Sequence, residues 1–122
     1  MDKVLIDSCI LIDMLRGDLK IRNKIKTIKK PYVIFIITME LLQGAVNKES
    51  LFKIKKELNN FYLLSMLDEI ANLAIQLIDK YSLSHGLSIP DAIIAATSLV
   101  YKIPLYTLNT KDFKFIDGIE LY

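Results

Sequence analysis

The sequence predicts an α/β fold with a mainly parallel sheet that is covered by helices on both faces. Short apolar runs alternate along the 122 residues with segments whose apolar residues recur at helical spacing. Such alternation builds βαβ units, which require a parallel sheet. Apolar residues make up 52% of the chain and charged residues 25%, which excludes a disordered or fibrous protein. We expect one domain over residues 1–122.

The predicted strands are short apolar runs, rich in β-branched and aromatic residues and bounded by turn formers. In chain order they cover residues 4–6, 32–37, 61–65, 105–108 and 119–122. The run 32–37 has the clearest strand composition, whereas 61–65 is weaker. Residues 109–118 separate the last two strands and are rich in turn formers.

The predicted helices show apolar residues at i, i+3, i+4 and i+7. They cover residues 8–17, 18–30, 38–44, 49–60, 67–82 and 89–102. Ser8 and Thr38 are suitable N-caps, and Pro31 ends the second helix because a residue before proline avoids the α region. The helix 89–102 is apolar nearly all round and ends before Pro104, so we expect it to lie in the middle of the domain.

Composition also limits the cellular location and the kinds of site. The apolar runs are far shorter than the roughly 20 residues that cross a bilayer. Cys9 is the single cysteine, which favours a reducing compartment and a place for Cys9 in the core, so we expect a cytoplasmic protein without a membrane partner. The lone histidine, His85, lacks partners at zinc-ligand spacing, and we expect it on the surface.

One stretch of the chain is strongly basic although the net charge is only +2. Its cations are Lys20, Arg22, Lys24, Lys26, Lys29 and Lys30, with no acid among them. They could form the solvated face of a helix whose buried stripe is Ile21, Ile25 and Ile28. They could also attract phosphates. The sequence leaves both interpretations open.

Four acids lie at the edges of strongly apolar segments: Asp7, Glu40, Asp91 and Asp112. Acids that follow parallel strands can converge at the carboxyl edge of a sheet, where ligands bind in open α/β folds. Four carboxylates in one crevice would raise one another's pKa values unless a divalent cation neutralised them. The pattern therefore predicts a metal site.

Each acid taken alone also has a purely structural explanation. Asp7 and Glu40 could complement the dipole of a helix N-terminus. Asp91 completes the sequence Ser88-Ile89-Pro90-Asp91, which fits a capping box, and Asp112 could satisfy backbone groups in a turn. Only the four acids together favour a catalytic site over these alternatives.

Four segments in order resemble the PIN-domain family: 4–8, 37–44, 89–96 and 105–113. The resemblance covers essentially the whole chain, whose size is similar to that of VapC-type toxins from toxin–antitoxin pairs. It implies a three-layer α/β/α sandwich in which the four acids are catalytic and bind metal. It also implies site roles for Ser8, Thr107 and Asn109. Some family members carry an acid at the position of Asn109, so the fourth acidic role here falls to Asp112 alone.

The resemblance further implies an endoribonuclease that depends on Mg²⁺ or Mn²⁺. Hydrolysis by a metal-activated water should leave 5′-phosphate and 3′-hydroxyl ends. The expected partners are a single-stranded or loop RNA substrate, a cognate antitoxin and a second copy of the chain. Two alternatives remain: a PIN-type RNA-processing nuclease without an antitoxin, and a non-catalytic scaffold that binds RNA or protein.

The segment 51–62 carries more apolar side chains than one amphipathic helix needs. These are Leu51, Phe52, Ile54, Leu58, Phe61 and Tyr62. Core packing explains them, and so does contact with an antitoxin or a second subunit. The sequence does not choose between the two.

Overall fold

A parallel sheet forms the centre of the computed structural model, which describes residues 2–122. Within those residues its strands are β1 (Lys3–Ile6), β2 (Lys30–Val33), β3 (Tyr62–Leu63) and β4 (Leu105–Tyr106), in the order β3-β2-β1-β4. Leu5 pairs with Tyr32 on one side and with Leu105 on the other. All pairings are parallel, so the carboxyl ends of the strands share one edge of the sheet.

Helices flank the sheet on both sides. In chain order they are α1 (Ser8–Leu15), α2 (Leu19–Lys26), α3 (Phe35–Gln43), α4 (Lys48–Leu58), α5 (Asp68–His85) and α6 (Ile89–Tyr101). Val4, Leu5 and Ile6 of β1 are all fully buried. Because successive strand residues point to opposite faces, both faces of the sheet are covered. This is the predicted three-layer α/β/α arrangement.

Helix α6 lies in the core, as its composition predicts. Ala92 and the run Ile94–Ser98 are buried, and the helix packs against α5 and α3. The polar groups in this run are satisfied internally. The Ser98 hydroxyl donates to the Ile103 carbonyl at 2.6 Å, and the Thr97 hydroxyl donates to the Ile93 carbonyl at 2.7 Å.

The predicted strand 32–37 is wrong in its second half. β2 ends at Val33, and α3 begins at Phe35 after Ile34, which makes no side-chain capping bond. Thr38 is therefore inside the helix rather than its cap. Ile34, Ile37 and Leu41 are buried, which is the i, i+3, i+7 spacing of a helix. A short, continuous apolar run does not distinguish a strand from a buried helix.

Two other predicted helix boundaries near the start of the chain differ from the structure. Asp7, not Ser8, is the N-cap of α1, and its side chain accepts the Ser8 N–H. The second helix ends at Lys26, before the predicted end at Lys30, and Pro31 is part of β2. The proline is tolerated because β3 pairs with β2 only from Tyr32 onward.

Two more boundaries differ in the second half of the chain. Helix α5 runs three residues beyond the predicted Ser82, to His85, and ends at Gly86 with φ of 66°, a conformation that favours glycine. The predicted strand 119–122 is reduced to one parallel bridge, between Leu121 and Leu105. Within residues 2–122, no helix combines the length and apolarity needed to cross a bilayer.

Candidate active site

Asp7 is the buried centre of the candidate site. It lies between the end of β1 and the first turn of α1, and only 4% of its surface is exposed. Its Oδ1 accepts the Ser8 N–H at 2.8 Å. Its Oδ2 accepts the Thr107 hydroxyl at 2.8 Å. The carboxylate is thus held between the ends of two adjacent strands, β1 and β4.

Thr107 connects Asp7 to the segment after β4. The Asn109 N–H donates to Thr107 Oγ1 at 3.0 Å, so the hydroxyl accepts one hydrogen bond and donates another. Thr107 is buried, whereas the Asn109 residue is exposed. The structure therefore brings Ser8, Thr107 and Asn109 to Asp7, with Ser8 and Asn109 contributing backbone N–H groups.

Cys9 belongs to the same cluster, which the sequence did not indicate. It is half-buried rather than a core residue. Its thiol donates to Asp7 Oδ2 at 3.6 Å and lies 3.6 Å from Thr107 Oγ1. Burial raises the pKa of the thiol, and the Asp7 charge adds to this effect. Cys9 is therefore a neutral neighbour of the carboxylate. The one feature of the sequence that could have indicated this role is the position of Cys9 two residues after Asp7.

Glu40 approaches Asp7 from α3. Partial burial raises the pKa of the Glu40 carboxyl, and the negative charge of Asp7 raises it further. The two groups make no direct hydrogen bond among the described residues. Glu40 is thus close enough to Asp7 for the Asp7 charge to affect its pKa, although the Glu40 residue is exposed to solvent.

Asp91 is the acid most affected by the others. Burial is the main cause that raises its pKa to about 6, and the charges of Asp7, Asp112 and Glu40 contribute in the same direction. A hydrogen bond from Ser88 partly opposes these effects. Four acids from distant parts of the chain therefore share one electrostatic environment, as their placement in the sequence predicts.

The structural explanations for Asp91 and Asp112 hold in part. Ser88 caps α6 by accepting the Asp91 N–H at 3.3 Å, which forms one half of the expected capping box. Asp112 ends the short 3₁₀ turn Thr110–Asp112, where its N–H donates to the Asn109 carbonyl at 3.0 Å. Both local roles use the backbone N–H groups of Asp91 and Asp112, so each carboxylate stays available for another function.

The donor set suits a hard divalent cation, because it consists of carboxylate oxygens. No ion pair involves Asp7, Glu40, Asp91 or Asp112 within residues 2–122, although Asp7 is buried. Over the same residues, no three His, Cys, Asp or Glu side chains are arranged closely enough to hold an ion. The acids are electrostatic neighbours, and a shared coordination sphere would require them to move closer together.

A groove of about 470 Å³ leads away from Glu40 between α1, α3 and α4. Its apolar walls include Ile12, Leu15, Leu41, Val46 and Ile54. Arg16 and Lys53 also line it, so the groove combines an acid with two cations. The sequence indicated an apolar surplus in 51–62 but did not place a groove beside the acids.

Known proteins resemble this chain in sequence and in fold. Ribonuclease VapC from Rickettsia bellii is 34% identical over 97% of this chain and 93% of its own length. A toxin-antitoxin complex from Klebsiella pneumoniae contains a chain 29% identical, with a TM-score of 0.81 and coverage of 95% and 94% of the two chains.

A third relative shows the same fold at lower identity. VapBC2 from Rickettsia felis, solved with a DNA fragment from its promoter, has a TM-score of 0.85 at 18% identity, covering 98% of this chain and 97% of that one. The family model that describes the PIN domain matches residues 4–118. The match includes all four acids and every strand residue except Lys3, and the chain belongs to the PIN domain family.

Proposed function

We propose that this protein is an endoribonuclease that acts as the toxin of a toxin–antitoxin pair. The observation that carries the proposal is the shared field of Asp7, Glu40, Asp91 and Asp112 at the carboxyl edge of the sheet. Its relatives include a protein named Ribonuclease VapC. A cluster of acids without a basic partner suits hydrolysis of a phosphodiester better than it suits a purely structural role.

We propose that the four acids hold Mg²⁺ or Mn²⁺. A cation held there would neutralise charge on the phosphodiester and would lower the pKa of a water molecule, so that the water could lose a proton and act as the nucleophile. The residues of this chain prepare the site. Thr107 and the Ser8 N–H fix the Asp7 carboxylate in one orientation, and the raised pKa of Asp91 makes binding of a cation depend on pH near 6.

Cleavage of RNA by the purified chain tests the proposal. We expect hydrolysis with Mg²⁺ or Mn²⁺, none with a chelator, and products with 5′-phosphate and 3′-hydroxyl ends. Asp7→Asn should lower the rate by at least about a hundredfold, because it removes the central charge. Asp79→Asn, on the exposed face of α5, is the matched control. Products with 2′,3′-cyclic phosphates, or full activity in Asp7→Asn, would exclude this mechanism.

We further propose that the groove beside Glu40 receives the antitoxin. Its apolar walls suit the apolar anchors of a peptide, and Glu40 suits a basic side chain at the end nearest the acids. The lining residues Arg16 and Lys53 suit an acidic side chain of the same peptide.

Co-expression separates the toxin from an RNA-processing nuclease. We expect growth arrest when the chain is expressed alone and relief when the neighbouring small gene is expressed with it. Val46→Asp should prevent the antitoxin from relieving growth arrest, because it places a charge in the exposed apolar wall of the groove without disturbing the core. Harmless expression of the active enzyme would favour the RNA-processing nuclease. Absence of both cleavage and metal binding would favour the non-catalytic scaffold.

A second copy of the chain is the proposed occupant of an apolar face on α5 and α6. Ile75 and Ile89 are 69% and 68% exposed, and they line a groove of about 370 Å³ with Met66, Ile78 and Ile93. Sedimentation should show a dimer that Ile75→Glu converts to a monomer, because the charge would face an apolar partner.

A further inference from the structure

A third groove lies at the opposite end of the sheet from the four acids. It has a volume of about 410 Å³ and is bordered by Pro31 near the start of β2 and by Tyr62 at the start of β3. Asp7 follows the carboxyl end of β1, so the length of a strand separates the two places. None of the residues that line this groove belongs to the candidate active site. We call it the amino-edge groove.

The amino-edge groove carries an excess of positive charge. Arg22, Lys26 and Lys29 line it, and Glu57 is the one acid that does so. Glu57 is engaged by Arg22 at 3.3 Å. Lys29 reaches the exposed Asp2 at 3.7 Å, a contact that contributes little in water. Lys26 makes no ion pair within residues 2–122. Two lysines are therefore available to an anion.

An aromatic side chain stands beside these lysines. Tyr62 lines the groove and is 52% exposed. Its ring lies against Tyr32 with centroids 5.6 Å apart and planes inclined by 48°, which supports the ring on one side. Exposed aromatic rings next to cations are how proteins bind single-stranded nucleic acid, because any base can stack on the ring while cations contact the phosphates.

We propose that the amino-edge groove anchors single-stranded RNA outside the cleavage site. Lys26 and Lys29 contact phosphates, and a base stacks on Tyr62. The choice of RNA as the polymer rests on the proposed function, whereas the charges and the ring stand independently of it. The anchor gives a role to Lys26 and Lys29, two cations of the basic stretch that line the groove.

Binding of labelled oligouridylate to the full chain tests the anchor. The measurement uses Asp7→Asn with a chelator, so that the RNA stays intact and metal at the acids plays no part. Lys26→Gln with Lys29→Gln should weaken binding about tenfold and reduce the slope of log affinity against log salt by about 1.4, since two phosphate contacts are lost. Tyr62→Leu should weaken binding by at least about fivefold, because it removes stacking.

Lys55→Gln with Lys56→Gln is the matched control. Both lysines are exposed on α4, lie outside the groove, and change the net charge equally. We expect this pair to bind RNA within about twofold of the parent. Equal losses in the two lysine pairs would overturn the proposal, and so would unchanged binding in Tyr62→Leu with thermal unfolding like that of the parent.

Two further measurements separate this proposal from others. If the Lys26 and Lys29 variant loses duplex DNA binding as strongly as RNA binding, the groove serves DNA and the RNA assignment is wrong. Cleavage by the unmodified chain with metal is measured in parallel. If the unmodified chain cleaves no RNA, the proposed function is wrong. The binding data would still decide whether the anchor exists.

Discussion

The Asp7 carboxylate is buried, and its hydrogen-bond partners are neutral groups from two strand ends. Burial of a charge is unfavourable without compensation, and such environments are common where a carboxylate must bind a cation. Thr107 and the Ser8 N–H satisfy the oxygens in one orientation. Burial raises the pKa values of Glu40 and Asp91, and the Asp7 charge raises both further.

The raised pKa of Asp91 predicts a pH-dependent stability. Its value of about 6 in the folded chain exceeds the ordinary 3.8, so the folded state binds the proton more tightly than the unfolded state. The contribution to folding is therefore fully present below pH 3.8 and is lost as the pH rises through about 6. Asp91→Asn should raise the free energy of unfolding by about 1 kcal/mol above that range, after allowance for solvent screening of a half-buried group.

Urea unfolding of the metal-free protein across this pH range measures the effect. Asp79→Asn is the control, because Asp79 is exposed on α5 and lies outside the acidic cluster. We expect the two variants to differ above pH 6 and to be alike below pH 3.8. A pH-independent difference would contradict the electrostatic account.

At the scale of elements, the end of α6 carries local strain. Lys102 follows the helix with φ of 56°, and its N–H donates to the Ser98 carbonyl. A side chain in this left-handed conformation costs roughly 1–2 kcal/mol, whereas glycine adopts it freely.

Lys102→Gly should therefore stabilise the protein. We expect a gain of about 0.5–1 kcal/mol, since the greater freedom of glycine in the unfolded chain offsets part of the relief. Lys102→Ala keeps the strained φ and should give no gain. Thermal unfolding measures both variants, and equal stability of the two would show that the backbone conformation is not the cause.

The junction of β2 and α3 shows where the sequence pattern does not distinguish a strand from a helix. The run 32–37 has strand composition, yet its second half is helical because Ile34, Ile37 and Leu41 pack into the core. By contrast, the prediction for α6 was confirmed in type and burial. Thirteen residues that are apolar on most sides leave few alternatives to a buried helix.

At the scale of the whole molecule, a bound cation should stabilise the fold by mass action. Acids from the end of β1, from α3, from α6 and from the turn after β4 come near one another only in the folded chain, so the unfolded chain offers no matching site. Mg²⁺ or Mn²⁺ at a hundred times the dissociation constant should add about 2.7 kcal/mol.

Thermal shift with each metal ion measures this gain. Asp7→Asn should lose most of it, and Asp79→Asn should keep it. Ca²⁺ provides a comparison, because its larger radius favours more ligands than a compact carboxylate site supplies. Equal shifts in Asp7→Asn and in the unmodified chain would place the cation elsewhere on the molecule.

The sequence by itself determined the α/β class and the order of the main elements. It also singled out the four acids, which the fold brings into one electrostatic environment. The spacing of apolar residues in strands and helices is a local pattern that can be read from the sequence alone. The same is true of acids at the ends of apolar segments. Only the tertiary structure decided that Cys9 joins Asp7, that Ser8 and Asn109 act through backbone N–H groups, and where the three grooves described above lie. These features depend on contacts between residues up to 100 positions apart, which packing sets and no local pattern records.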